Sequence, residues 1–82
     1  MAYYIVESSL QSEEVLGLAE AYFGSRGLGL EAARPNPRHL YLTGAEGHVS
    51  VMAGPGRTRT AVDVETRAWD PQVRDFLRQI AR

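Results

Sequence analysis

The sequence predicts an α+β fold: a five-stranded antiparallel sheet with two helices packed on one face, in the order β-α-β-β-β-β-α. Three observations predict it. Between residues 39 and 67, apolar residues alternate with polar ones through three successive runs joined by glycine-containing connections, the pattern of a meander with one buried face. Two further segments, near residues 12–25 and 70–81, repeat apolar residues at helical spacing. An antiparallel sheet with one apolar face needs a cover, and in a chain of 82 residues those two helices are the only material for it. A single domain over residues 1–82 is expected, because two cores would each approach the size at which disulfides or metals become necessary.

Residues 3 to 6, Tyr-Tyr-Ile-Val, are aromatic and β-branched and stop at Glu7-Ser8-Ser9, which makes a short strand. Both of its faces are apolar, so its expected place is inside the sheet or in an interface. Ser12 is a good N-cap, Glu13 and Glu14 suit the first-turn dipole, and Val15, Leu18, Ala19 and Tyr22 follow at helical spacing. The first helix is predicted from residue 10 or 12 to 25, with Gly24 and Gly27 as stop signals and Gly27 as the left-handed residue. Residues 28–34 place Leu28, Leu30 and Ala32 on one side and Glu31 on the other, a second strand ended by the breaker Pro35-Asn36-Pro37.

The meander follows. Leu40 and Leu42 alternate with His39 and Tyr41. Val49 and Val51 alternate with His48, Ser50 and Met52. Thr60, Val62, Val64 and Thr66 alternate with Arg59, Ala61, Asp63, Glu65 and Arg67 after a Gly54-Pro55-Gly56 turn. Asp70-Pro71 pairs an N-cap residue with proline at the first helical position, and Val73, Phe76, Leu77, Ile80 and Ala81 form the stripe of a closing helix.

A register can be proposed from the apolar rows. Thr43 opposite His48 places Leu42 against Val49 and Leu40 against Val51, and a similar four-residue connection at 54–57 places Val51 against Thr60 and Val49 against Val62. The other face then aligns His39 with Met52, Tyr41 with Ser50, Met52 with Arg59, and His48 with Asp63. Pleating alone gathers these groups on one surface. The bland reading of His48 and Asp63 is a solvated cross-strand ion pair. Met52 and Tyr41 are less ordinary on an open face, and with Tyr3 or Tyr4, Ile5 and Trp69 near them they indicate a covered surface.

This element order is similar to one half of the TATA-binding-protein saddle and to other helix-grip sheets. The similarity implies the arrangement of elements and nothing about function, because no residue motif accompanies it.

Composition excludes several activities. With no cysteine, thiolate metal sites, disulfides and thiol nucleophiles are absent, and a reducing cytoplasm is the expected location. No signal peptide is recognised at the N-terminus and no stretch approaches a membrane span, so no membrane association is expected. A formal charge of −1 gives no basic excess for nucleic acid. All nine basic residues are arginine, which codon bias in a GC-rich, bacterial genome explains better than anion recognition.

Motifs are mostly rejected. Residues 27–32, Gly-Leu-Gly-Leu-Glu-Ala, match the letters of a dinucleotide fingerprint but follow a helix and open a strand, the reverse of what that fingerprint requires. Gly54, Gly56, Arg57 and Arg59 could hold an anion, although Gly-Pro-Gly is first a turn. His39 and His48, separated by eight intervening residues with Asp63 and Glu65 further on, do not have metal-ligand spacing. Neither a G-x-S-x-G nor an S-x-x-K motif occurs. Tyr41, His39, Arg59 and Arg67 give a thin version of a single-strand-binding face, opposed by Asp63, Glu65 and Glu31.

The expected function is therefore a non-enzymatic interaction or regulatory module, without cofactor or metal and expected to form a homodimer or to hold a protein partner. Its interaction face would comprise Tyr3, Ile5, His39, Tyr41, His48, Met52, Arg59 and Asp63. The alternative is a small-molecule or anion binder, with the ligand between sheet and helices or at the Gly54–Arg59 turn, and nucleic-acid binding ranks third.

Overall fold

A computed structural model describes the whole chain, Met1–Arg82. The elements are β1 (Ala2–Ser8), α1 (Ser12–Phe23), β2 (Glu31–Asn36), β3 (His39–Thr43), β4 (His48–Pro55), β5 (Thr60–Arg67) and α2 (Asp70–Ile80). The expected α+β order is thus present, and all four strand pairings are antiparallel.

The sheet order is β1-β5-β4-β3-β2. Helix α1 carries the chain from one edge of the sheet to the other, and the meander β2 to β5 returns strand by strand until β5 closes against β1. Both helices lie on one face. Helix α1 covers β3 and β4, while α2 covers β5 and β1. They meet through aromatic rings, with Phe23 and Phe76 centroids 5.5 Å apart and Tyr22 edge-on to Phe23 at 4.8 Å.

The buried cluster follows the strand alternation. Leu40, Leu42, Val49, Val51, Ala53, Val62 and Val64 point inward, against Val15, Leu16, Ala19 and Phe23 of α1 and Val73, Phe76, Leu77 and Ile80 of α2. Arg59 is exposed and Asp63 and Glu65 are half-buried, so the two faces of the meander are those the alternation predicts. Two polar residues are fully buried and both are satisfied. The Thr66 hydroxyl donates to the His48 carbonyl at 2.9 Å, and the Ser8 hydroxyl donates to the Ile80 carbonyl at 2.6 Å while accepting the Leu10 amide at 3.1 Å.

Several local expectations are corrected. The apolar stripe of α1 is rotated: Leu18 is exposed, and Leu16 and Phe23 are buried instead. The helix begins at Ser12, within the predicted range, but its N-cap is Gln11 rather than Ser12, because the Glu14 side chain reaches back to the Gln11 amide at 3.1 Å. It ends at Phe23, two residues short of the predicted end, and the left-handed glycine is Gly29 (φ 90°) rather than Gly27. Gly27 is required for close approach, since a Cβ there would strike the Tyr22 and Ala21 carbonyls.

Strand β2 begins later than expected and runs through Pro35 and Asn36, which a sheet edge tolerates because one side of the strand needs no donor. Leu30 is buried ahead of it, whereas Leu28 is exposed. Helix α2 is capped by Trp69, whose carbonyl accepts the Val73 amide at 2.9 Å. The Asp70 carboxylate makes no capping bond and instead lies 3.5 Å from the Tyr4 hydroxyl.

Candidate interaction face

The outer side of the sheet carries no helix, and the pairings fix which residues meet there. Tyr3, Glu65, Ser50 and Tyr41 form one row across β1, β5, β4 and β3. Ile5, Asp63, Met52 and His39 form the next, and Arg67 stands opposite His48 beside them. The β3–β4 register is the predicted one: His39 faces Met52, and Tyr41 faces Ser50.

The β4–β5 register differs from prediction by four residues. Val49 faces Thr66 and Val51 faces Val64, and on the outer side Met52 faces Asp63 instead of Arg59. The cause lies in the connection. β4 continues through Gly54 and Pro55, and the turn proper is Gly56–Arg59, closed by a 2.8 Å bond from the Gly56 amide to the Arg59 carbonyl. An even displacement leaves every side chain on its predicted face, so the burial pattern survives while the partners change.

The His48–Asp63 pair is therefore not formed. His48 Nε2 lies 3.5 Å from Glu65 Oε1, an ion pair when the imidazole is protonated, and its ring stacks on Tyr41 with centroids 5.6 Å apart. Asp63 instead accepts the Tyr3 hydroxyl at 3.0 Å. That hydrogen bond, with some desolvation and the negative charges of Asp63 and Glu65, pushes the Tyr3 phenol above its ordinary value. His39 Nε2 sits 2.7 Å from Ser50 Oγ, with its ring edge-on to Tyr41 at 6.1 Å. These diagonal bonds hold the polar side chains flat, leaving the large apolar groups between and beside them in water. Ile5 is 67%, Tyr3 61%, Met52 48% and Tyr41 37% exposed.

A serine and a histidine in hydrogen-bond contact raise the question of a nucleophile. Ser50 lies mid-strand on an open face, and the hydrogen bonds of His39 include no carboxylate that would orient its ring for base catalysis. No three histidine, aspartate or glutamate side chains come together as a metal-ligating group.

The remaining predicted residues fall elsewhere. Arg59 is at the turn, where its guanidinium donates to the Arg82 carbonyl, so it leaves the proposed face. Trp69 packs against the core cluster at the start of α2. The anion candidates divide. Gly54 lies on the outer side under the Arg38 stem, beside a hollow of about 220 Å³ that Met52 and Asp63 also line. Gly56, Arg57 and Arg59 border a different, polar cleft of about 680 Å³ between the start of α1 and the turn, where Ser9, Ser12 and Glu13 form the other wall.

Sequence reasoning passed over Arg38 and Ser8, and named Glu65 without its partner. Glu65 was on the predicted face, but the four-residue difference in register hid its partner. Arg38 lies in the turn after Pro37, and only the extension of β4 through Pro55 brings Gly54 under it. Comparison with known proteins adds no relative: no family model, curated protein or solved structure matches the chain.

Proposed function

We propose that this chain is a non-enzymatic interaction module that associates with a second copy of itself through either its open sheet face or its first strand, β1. The observation that carries the reading is the exposure of large apolar side chains on the uncovered side of the sheet, Tyr3 and Ile5 on β1 for the strand and Tyr41 and Met52 on β3 and β4 for the face. A sheet face that meets only water is normally polar, and the polar residues here are already bonded to one another. Two-fold closure is the commonest way to cover such a surface.

Sedimentation equilibrium tests it. Across the micromolar to submillimolar range the average mass should rise from 9.1 kDa toward twice that value, and a constant 9.1 kDa would overturn the reading.

The polar cleft bordered by Arg57 and Arg59 favours a second reading, an anion-binding protein. It predicts a rise in melting temperature with phosphate at constant ionic strength, which the first reading does not. Nucleic-acid binding is less favoured, since Glu31, Asp63 and Glu65 share the outer face with the stacking aromatics.

A further inference from the structure

We infer that self-association joins the two copies edge to edge through β1, as one continuous ten-stranded sheet with the two-fold axis at Ile5. The inference rests on the self-association proposed above and specifies its geometry.

The hydrogen-bond alternation shows what β1 leaves open. The Gly56 amide donates to Arg59, so the bonds from β5 to β4 recur at Ala61, Asp63, Glu65 and Arg67, opposite Gly54, Met52, Ser50 and His48. The intervening residues Thr60, Val62, Val64 and Thr66 bond β1, through Ser8, Val6, Tyr4 and Ala2. The amides and carbonyls of Tyr3, Ile5 and Glu7 consequently point out of the free edge.

The two edges of the sheet are treated differently. β2 carries Pro35 and Arg34, and its pairing is broken between Ala33 and Asn36, devices that discourage a further strand. β1 has neither proline nor a basic residue, and its pairing is unbroken over all seven residues.

The strand is also self-complementary. An axis perpendicular to the sheet at Ile5 pairs the whole of Ala2–Ser8 with a second copy: Ile5 meets Ile5, Tyr3 meets Glu7, Tyr4 meets Val6 and Ala2 meets Ser8. No like charges stand opposite, and the two Glu7 residues lie roughly 14 Å apart, beyond a Debye length at physiological salt.

Charge complementarity in the helical layer selects the same occupant. Helix α2 runs along β1 in the same sense, with Arg74 within 3.4 Å of the Tyr4 hydroxyl and Ile80 bonded to Ser8. The two-fold sets two α2 helices side by side and antiparallel, so their dipoles are opposed and the acidic first turn at Asp70 of one copy lies toward the last turn of the other, where Arg78 is paired with Asp75 of its own helix.

Cysteine cross-linking and sedimentation test the geometry together. In this cysteine-free chain, Ile5→Cys should give a disulfide-linked dimer under mild oxidation, because directly opposed Cα atoms in such a pair are about 5.5 Å apart. Tyr3→Cys should stay largely unlinked, its two copies being roughly 14 Å apart. Ile5→Lys sets two ammonium groups opposite each other and should weaken association at least tenfold. The fold should tolerate this substitution, since Ile5 is exposed and faces Asp63 in its own chain.

Tyr41→Lys with Met52→Lys alters the middle of the outer face and should leave association within about threefold. If the lysine pair dissociates the dimer while Ile5→Lys does not, the copies meet back to back, and the edge geometry is wrong although self-association stands. Equal cross-linking of both cysteine variants overturns the register. A wild-type chain that stays monomeric overturns both proposals.

Discussion

Replacing Ser8 by alanine should destabilise the fold out of proportion to the single oxygen removed. Ser8 is fully buried where β1 turns toward α1, and its hydroxyl bridges two elements: it donates to the Ile80 carbonyl at 2.6 Å and accepts the Leu10 amide at 3.1 Å. The two losses are unequal. Ile80 still accepts the Arg82 amide at 2.8 Å, so its carbonyl keeps a partner. The half-buried Leu10 amide has no substitute. A net hydrogen bond of about 1 kcal/mol plus a desolvated donor at about 1–2 kcal/mol gives a loss of roughly 2–3 kcal/mol. For a domain of this size that corresponds to roughly 10–20 °C in Tm. Urea and thermal unfolding followed by circular dichroism, at one fixed protein concentration so that association does not alter the comparison, measure it. Ser9→Ala, an exposed neighbour, is the control and should fall within about 0.5 kcal/mol of wild type. If Ser8→Ala also falls within that margin, the bridge does not hold β1 to α2 and the reasoning is refuted.

Leu42→Ala and Val62→Ala should each cost about 1–4 kcal/mol by the cavity left in the core, and wild-type-like melting of both would mean the sheet faces are inverted. The Tyr3 phenol should titrate above the ordinary 10.0, so the stability it lends is complete below that pH and lost as pH rises through its folded-state value. Ultraviolet difference titration should show a late tyrosine step that Asp63→Asn moves down, and an unchanged profile would refute the Tyr3–Asp63 bond. Gly29→Ala should cost about 1–2 kcal/mol from backbone strain alone, since φ is +90° and nothing lies near the added methyl, whereas Gly29→Asn should cost less in the same unfolding assay.

The class of fold was legible because it rests on periodicity, which is local. Leu40, Leu42, Val49, Val51, Val62 and Val64 announce a common face by alternation alone, and Val73, Phe76, Leu77 and Ile80 announce a helix. What failed depends on comparing near-equal choices. Leu18 and Leu16 both fit a helical stripe on α1, and only the ring contacts at Phe23 decide between them. Asp70 is a better isolated N-cap than Trp69, yet the chain enters α2 through Ala68 at φ 77°, which leaves Trp69 at the cap and Asp70 free to approach Tyr4. The β4–β5 register went astray because Gly54-Pro55-Gly56 reads as a turn, and the additional strand residues cannot be inferred from composition. The outer face was legible as a set of residues, whereas the bonds within it, His48 to Glu65 and Tyr3 to Asp63, depend on that register.

The contrast between the two edge strands follows from how much sheet two helices can cover. A helix with its side chains is about 10 Å wide and strands are about 4.8 Å apart, so α1 and α2 together cover about four strands of the five. The strand left over is β2, exposed at every residue, and it is built accordingly from Glu31, Ala32, Ala33, Arg34, Pro35 and Asn36, with Arg34 tied to Glu13 of α1 at 3.0 Å. This is how the chain equips a strand that remains in water. β1 is the other edge, yet its inward side is satisfied, because Tyr4 and Val6 pack against the core under α2. Nothing in the monomer's core therefore calls for Tyr3 and Ile5 to be large and apolar. If both edges met only water they should look alike. The one that retains aromatic and β-branched residues on its outer side, with an unbroken row of free backbone donors and acceptors, is the one equipped to receive another strand.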